Sequence, residues 1–306
     1  MISNRSRRGR HIYLKEIRII GVIAALLCVV VIGVIVLSQP RSGAINDRRD
    51  VLRIWNEGDF ERAFEISSNL LFERPVDYYL LKINGFSAYQ LGISQINHQD
   101  MLPFINQSIF SLRKALIHNK KDPAVYYILG KAYGYKGPKY ADLVVRYLER
   151  ALYLHHEAAD IPEFLGLAFA ALGDYRSSVA AFSQSFIPGQ IQSDNLLLAI
   201  ARSYMAMEEY SMAVSYLTLC IENSNDSLSV VIARLMLAEI YIILREYARA
   251  EHHLLTIINE TGENAEARFQ LGELYNLQGD TTRARFEWRM AYRQNPAHAG
   301  ARARLN

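Results

Sequence analysis

The chain has 306 residues, 51% hydrophobic and 21% charged, with a mean hydropathy near zero, which excludes a disordered polymer and provides apolar side chains for a large core. Its net charge of +3 sits at one end: residues 1–18 carry Arg5, Arg7, Arg8, Arg10, Lys15 and Arg18 against Glu16, a net +5, so the rest sums to −2. A nearly neutral body excludes the basic footprint of a nucleic-acid binder.

In chain order, the basic segment 1–18 is followed by residues 19–37, nineteen positions with no charge or strongly polar side chain. As a helix this run covers roughly 28 Å, the thickness of a bilayer's hydrocarbon. A cleaved signal would have a shorter apolar region and a small-x-small cleavage site, whereas this run ends Val-Leu-Ser-Gln-Pro-Arg. Leu27 before Cys28, with nine apolar residues after it, does not fit a lipoprotein site. The reading is an uncleaved anchor in contact with the bilayer through residues 19–37. Because the basic residues cluster before the run, the positive-inside rule puts the N-terminus in the cytoplasm. The expected placement is a single-pass inner membrane protein with an extracytoplasmic body, periplasmic in a bacterium. Residues 38–43, with Pro40, form a short linker.

Beyond the linker, five segments align: 57–63 (EGDFERA), 172–178 (LGDYRSS), 207–213 (MEEYSMA), 244–250 (LREYARA) and 278–284 (QGDTTRA). Each is a short turn followed by a small residue, usually with an aromatic between, and the last two begin 34 residues apart. Apolar residues at helical spacing flank them.

These features resemble the tetratricopeptide repeat family. In residues 265–296, Leu271, Gly272 and Tyr275 lie on a first helix, Gly279 and Asp280 make the turn, and Ala284, Trp288 and Ala291 line a second helix that ends before Pro296. Gly272 and Ala284 are small where two helices cross, and Tyr275 and Trp288 fill the space beside them. The same frame gives six earlier units, beginning near Ala44, Tyr78, Pro123, Ala159, Asp194 and Val231, with Gly130, Gly166, Ala201 and Ala238 at the crossing. Three units depart from the pattern: the first opens on polar residues 46–50, the second carries an insertion at 93–101, and the third extends its turn through residues 136–139. A further loop is read at 222–230. The resemblance implies an all-α fold, a right-handed α-solenoid of about seven hairpins over residues 44–296 with a partial cap at 297–306, behind one transmembrane helix.

A stack of this kind implies a concave face lined by first-helix side chains that the packing leaves over. The family geometry places Tyr79, Phe86, Tyr89, Tyr127, Lys131, Tyr135, Leu198, Arg202, Met205, Leu235, Glu239, Ile242, Phe269 and Glu273 there. That set suits an extended peptide or amphipathic helix held by aromatic anchors. The lysine and asparagine pair with which some members hold a C-terminal carboxylate is not matched, since Phe86 stands where asparagine belongs after Lys82.

No spacing supports catalysis, a metal or a cofactor. His155-His156 and His252-His253 are adjacent pairs, unlike the i, i+4 spacing of a metal site, and read as surface residues. Gly130, Gly134 and Gly137 lack the Gly-Lys-Ser/Thr of a phosphate loop. Cys28 and Cys220 form no CxxC pair and do not fix a redox compartment. The arginines of the C-terminal end, Arg285, Arg289 and Arg293 among them, read as the polar face of a terminal cap. The expectation is a non-enzymatic, membrane-anchored scaffold that binds protein partners near the membrane and assembles an envelope, secretion or flagellar-motor complex. A cytosol-facing receptor or regulatory adaptor is the alternative.

Overall fold

A computed structural model describes residues 48–186 and 192–305, which form fifteen α-helices and no strand. Seven hairpins follow one another: α1 (Arg48–Asn56) with α2 (Phe60–Glu73), α3 (Tyr78–Ile93) with α4 (His98–His118), α5 (Pro123–Lys136) with α6 (Ala141–Tyr153), and α7 (Ile161–Ala171) with α8 (Tyr175–Gln184). They continue with α9 (Asp194–Ala206) and α10 (Tyr210–Asn223), α11 (Ser227–Ile243) and α12 (Tyr247–Thr261), α13 (Ala265–Leu277) and α14 (Thr281–Gln294), and α15 (Ala299–Leu305) closes the stack. Each helix packs on its sequence neighbours, and contact between like helices of adjacent units runs through the first helices. The body is an all-α solenoid whose inner wall is the row of first helices.

Local chemistry sets both ends of the hairpins. First helices begin at capping side chains: the carboxylates of Asp77, Asp122 and Asp226, the hydroxyl of Ser193 and the amide oxygen of Asn264 accept hydrogen bonds from backbone N–H groups of the first turn. Five of the turns inside hairpins share one geometry, in which the N–H of the second turn residue reaches back five positions: Asp59 to Ile54, Asp174 to Phe169, Glu209 to Tyr204, Glu246 to Tyr241 and Asp280 to Tyr275. That closure needs positive φ at the residue before. Gly58, Gly173 and Gly279 supply it at φ 78–85°, while Glu208 and Arg245 are held at φ 60°.

The small first-helix residues are small for the expected reason. A Cβ on Gly272 would lie 2.5 Å from Cδ1 of Trp288, and one on Gly130 would lie 2.5 Å from Cδ2 of Leu148. Gly85 against Leu112 and Gly166 against Phe182 are equally close, so second-helix side chains occupy the space that a first-helix side chain would take. The core is the strip between the two layers of helices, built from such pairs.

The departing units use their extra residues in different ways. In the second, the insertion lengthens α4 to 21 residues. In the third, Gly137 at φ 113° leads into a 3-10 turn, Pro138–Tyr140. The loop read at 222–230 is largely helix, because Asp226 caps the chain early and α11 starts at Ser227, a full turn before Val231.

The single-pass membrane placement is corrected: among the described residues no helix is long and apolar enough to cross a membrane. A span needs about twenty apolar residues, but the longest helix, α4, carries Asp100, Arg113 and Lys114, and α11, at 17 residues, carries Arg234 and Glu239. The segments read as basic leader (1–18), anchor (19–37) and linker (38–43) lie outside the described residues, as do 44–47.

Candidate functional site

The fourteen residues assigned to the concave face separate into groups with different surroundings. Tyr89, at 2% exposure, and Leu198 are core residues, and Leu235 and Ile242 are half-buried against the core beside them. Tyr79, Arg202 and Glu239 are exposed. Tyr79 lies beneath the Arg48 guanidinium, and Phe86 contacts Trp55 and Lys82.

Tyr89 and Tyr127 come together around the Lys131 ammonium, and Tyr135 packs beside them on the rings of Tyr89 and Phe164. Nζ of Lys131 is 2.5 Å from Oδ2 of Asp160 and 3.0 Å from the Tyr127 hydroxyl, which itself donates to Oδ1 of Asp160 at 2.8 Å. The rings of Tyr89, Tyr127 and Phe164 all lie within 6 Å of the same charge, the range of a cation–π contact. Burial disfavours both charges, but the hydrogen bonds between them outweigh it: Lys131 is held above the ordinary lysine value and Asp160 below the ordinary carboxylate value. The arrangement recurs one unit earlier, where Lys82 Nζ is 2.5 Å from Asp122 and the Tyr78 hydroxyl donates to the same carboxylate. A tyrosine and a lysine one helical turn apart thus grip the aspartate at the start of the next unit's first helix.

This clamp has a measurable consequence. Asp160→Asn leaves the Lys131 ammonium among rings without its counter-charge, and because Asp160 is partly solvated the expected loss is about 1 kcal/mol in urea unfolding. Asp160→Asn combined with Lys131→Met is expected to recover most of it; an additive double variant would mean that the pair is not coupled.

Farther along, Arg202, Met205 and Glu239 share a pocket of about 350 Å³ with Tyr210, Met236 and Ile243, between the fifth and sixth units. Tyr135 borders another, of about 490 Å³, between the third and fourth, with Gly134, Pro138, Val144, Phe164 and Leu167. The C-terminal pair has partners in its own chain: Phe269 lies 4.8 Å from the His298 ring and close beneath Gly300, and Glu273 accepts two hydrogen bonds from Arg304 at 2.9 and 2.6 Å. Helix α15 therefore covers Phe269 and Glu273.

Sequence reading omitted the fourth unit from this face. Leu167, 52% exposed, directly follows the crossing residue Gly166, as Lys131 follows Gly130 and Arg202 follows Ala201, so the register held the signal. It also treated His253 as a surface residue. His253 is half-buried and stacked on Tyr241, ring centres 5.7 Å apart. Among the described residues no cluster of metal-binding side chains is found.

The comparisons with known proteins fit this architecture. Residues 195–227, which cover α9 and α10, match the tetratricopeptide repeat family model. Comparison with curated proteins gives no match. Among solved structures, the C-terminal part of a tetratricopeptide repeat-containing protein from Cytophaga hutchinsonii is similar at TM-score 0.60 and 15% identity, over 85% of this chain and 100% of that one. PilW, a type IV pilus biogenesis factor, is similar at TM-score 0.57 and 16% identity, over 72% and 98%. PilF of Pseudomonas aeruginosa is similar at TM-score 0.52 and 15% identity, over 72% and 96%. The chain is thus a helical-repeat solenoid: one hairpin matches the tetratricopeptide repeat model, and these solved structures share its fold.

Proposed function

We propose that this chain is a non-catalytic scaffold that holds a segment of a partner protein along the wall formed by its first helices. The observation that carries the reading is the state of that wall: between Tyr135 and Ile243 it presents two pockets open between neighbouring units, with Leu167 and Arg202 exposed beside them. Concave, mostly apolar surfaces with a few polar groups are where ligands are held. Assembly of an envelope complex is the narrower reading, and a type IV pilus biogenesis factor, PilW, shares the fold.

Leu167→Glu combined with Met205→Glu puts carboxylates on this wall, one at an exposed position and one at a half-buried position beside the core. Proteins crosslinked to the intact chain in cells are expected to be lost from the double variant and kept by Phe72→Ser, which alters an 86% exposed phenylalanine on α2. Retention of every partner by the double variant, with its helical circular dichroism unchanged, would show that binding does not use this wall.

A further inference from the structure

The two wall pockets stand at one register of the repeat, two units apart. Gly134 corresponds to Met205, four positions after the crossing residue; Phe164 corresponds to Met236, two before it; and Leu167 corresponds to Glu239, one after it. A segment that follows the wall meets both, yet the two differ in chemistry. The pocket between the third and fourth units has no charged lining residue. Gly134 and Gly137 line it without side chains, and the 3-10 turn at Pro138 borders it. At about 490 Å³ it exceeds the volume of any one side chain and takes a bulky apolar group.

The pocket between the fifth and sixth units has opposite charges on its two walls, Arg202 from α9 and Glu239 from α11. Neither has an ion-pair partner among the described residues, and they are not within bonding distance of each other. Arg48, Lys82 and Lys131 of the earlier first helices are already paired, with Asp77, Asp122 and Asp160, and the other first-helix cations without an ion pair among the described residues, Arg49, Lys136 and Arg234, line neither wall pocket. Of the two wall pockets only the second carries unpaired charge, so complementary charge on a ligand gains there and not at the first.

We infer that the partner segment is bipartite: a bulky apolar side chain fills the first pocket, and two units farther on an acidic side chain meets Arg202 while a basic one meets Glu239. This rests on the scaffold reading and adds the polarity of the bound segment. Arg202 offers its planar guanidinium to a carboxylate, and Glu239 on the opposite wall disfavours a second carboxylate, so an ordered pair of charges is recognised over two like ones.

The test uses the full-length chain and a random-peptide display library, with affinities of the selected peptides measured by titration. Selected peptides are expected to share an aromatic or large aliphatic residue and, at a fixed separation, an acidic and a basic one. Ala171→Trp, which fills the first pocket from its exposed rim, and Arg202→Glu are each expected to weaken binding about tenfold or more. Arg202→Glu combined with Glu239→Arg is expected to prefer the same peptides with their two charges exchanged. Peptides that depend on Leu167 and Met205 but are indifferent to Ala171→Trp, Arg202→Glu and Glu239→Arg would overturn the bipartite inference and leave the scaffold reading in place. Peptides indifferent to all of these would overturn both, and a library that yields no shared pattern overturns the inference.

Discussion

Phe182→Ala is expected to destabilise the body by about 3–5 kcal/mol, read as a drop in the urea midpoint followed by far-ultraviolet circular dichroism. Phe182 is fully buried on α8 and packs with Leu196 and Ile200 of α9, and its ring sits 2.6 Å from where a Cβ on Gly166 of α7 would be. It thus joins its own hairpin to the next. A solenoid is held by repeat and nearest-neighbour interface energies, with no contacts across the stack to compensate, so a cavity at this point weakens the fourth unit and its junction with the fifth together. The transition is expected to broaden or divide as the two halves of the stack lose their coupling. Gly166→Ala alone should also destabilise, by about 1–3 kcal/mol, because the added methyl meets the ring. In the Phe182→Ala background that methyl enters vacated space, so the double variant should lose less than the two separate losses combined. An unchanged midpoint for Phe182→Ala would mean that the fourth unit does not contribute to the cooperative body.

What was legible in the sequence was what is local. Gly272 and Trp288, or Gly166 and Phe182, lie sixteen residues apart within one hairpin, and the steric demand of a close crossing restricts both positions to recognisable residue types. The turn at Asp280 is likewise written in Gly279, whose freedom at positive φ the closure needs. Contacts between units were not legible. Asp122 and Asp160 look like ordinary helix caps; that Asp122 also binds a lysine 40 residues earlier, and that Asp160 makes no capping bond with its side chain and binds a lysine 29 residues earlier, follows only from how the hairpins stack. The cover that α15 places over Phe269 and Glu273 was missed for the same reason, since seven residues at the chain's end carry little pattern of their own. The start of α11 was misplaced because Asn-Ser-Asn-Asp-Ser has loop composition, while a single side chain, Asp226, with bonds to the N–H groups of Leu228 and Ser229, is enough to begin a helix there.

His253 makes stability fall as the pH falls from 6.5 towards 4. Burial, the nearby charge of Arg234 and the adjacent His252 all disfavour protonation, and together they push its pKa from 6.5 down to about 4. Its Nδ1 is buried without a hydrogen-bond partner, and its ring lies almost parallel to that of Tyr241, which also carries the Arg249 guanidinium at 5.4 Å. Between pH 6.5 and 4 the unfolded chain takes up a proton here that the folded chain refuses, so unfolding is favoured as pH falls; above pH 6.5 both states are neutral and the contribution is complete. With allowance for the solvent that reaches the half-buried ring, the loss between pH 7 and 5 is about 1–2 kcal/mol. Other histidines and the carboxylates respond in part of the same range, so the informative quantity is a difference between variants. His253→Phe keeps a ring against Tyr241 and removes the titration, and its unfolding midpoint is expected to shift less between pH 7 and 5 than that of the parent chain. Equal shifts for the two proteins would mean that His253 accepts its proton freely in the folded state, and that the packing of α12 against Tyr241 opens to admit water.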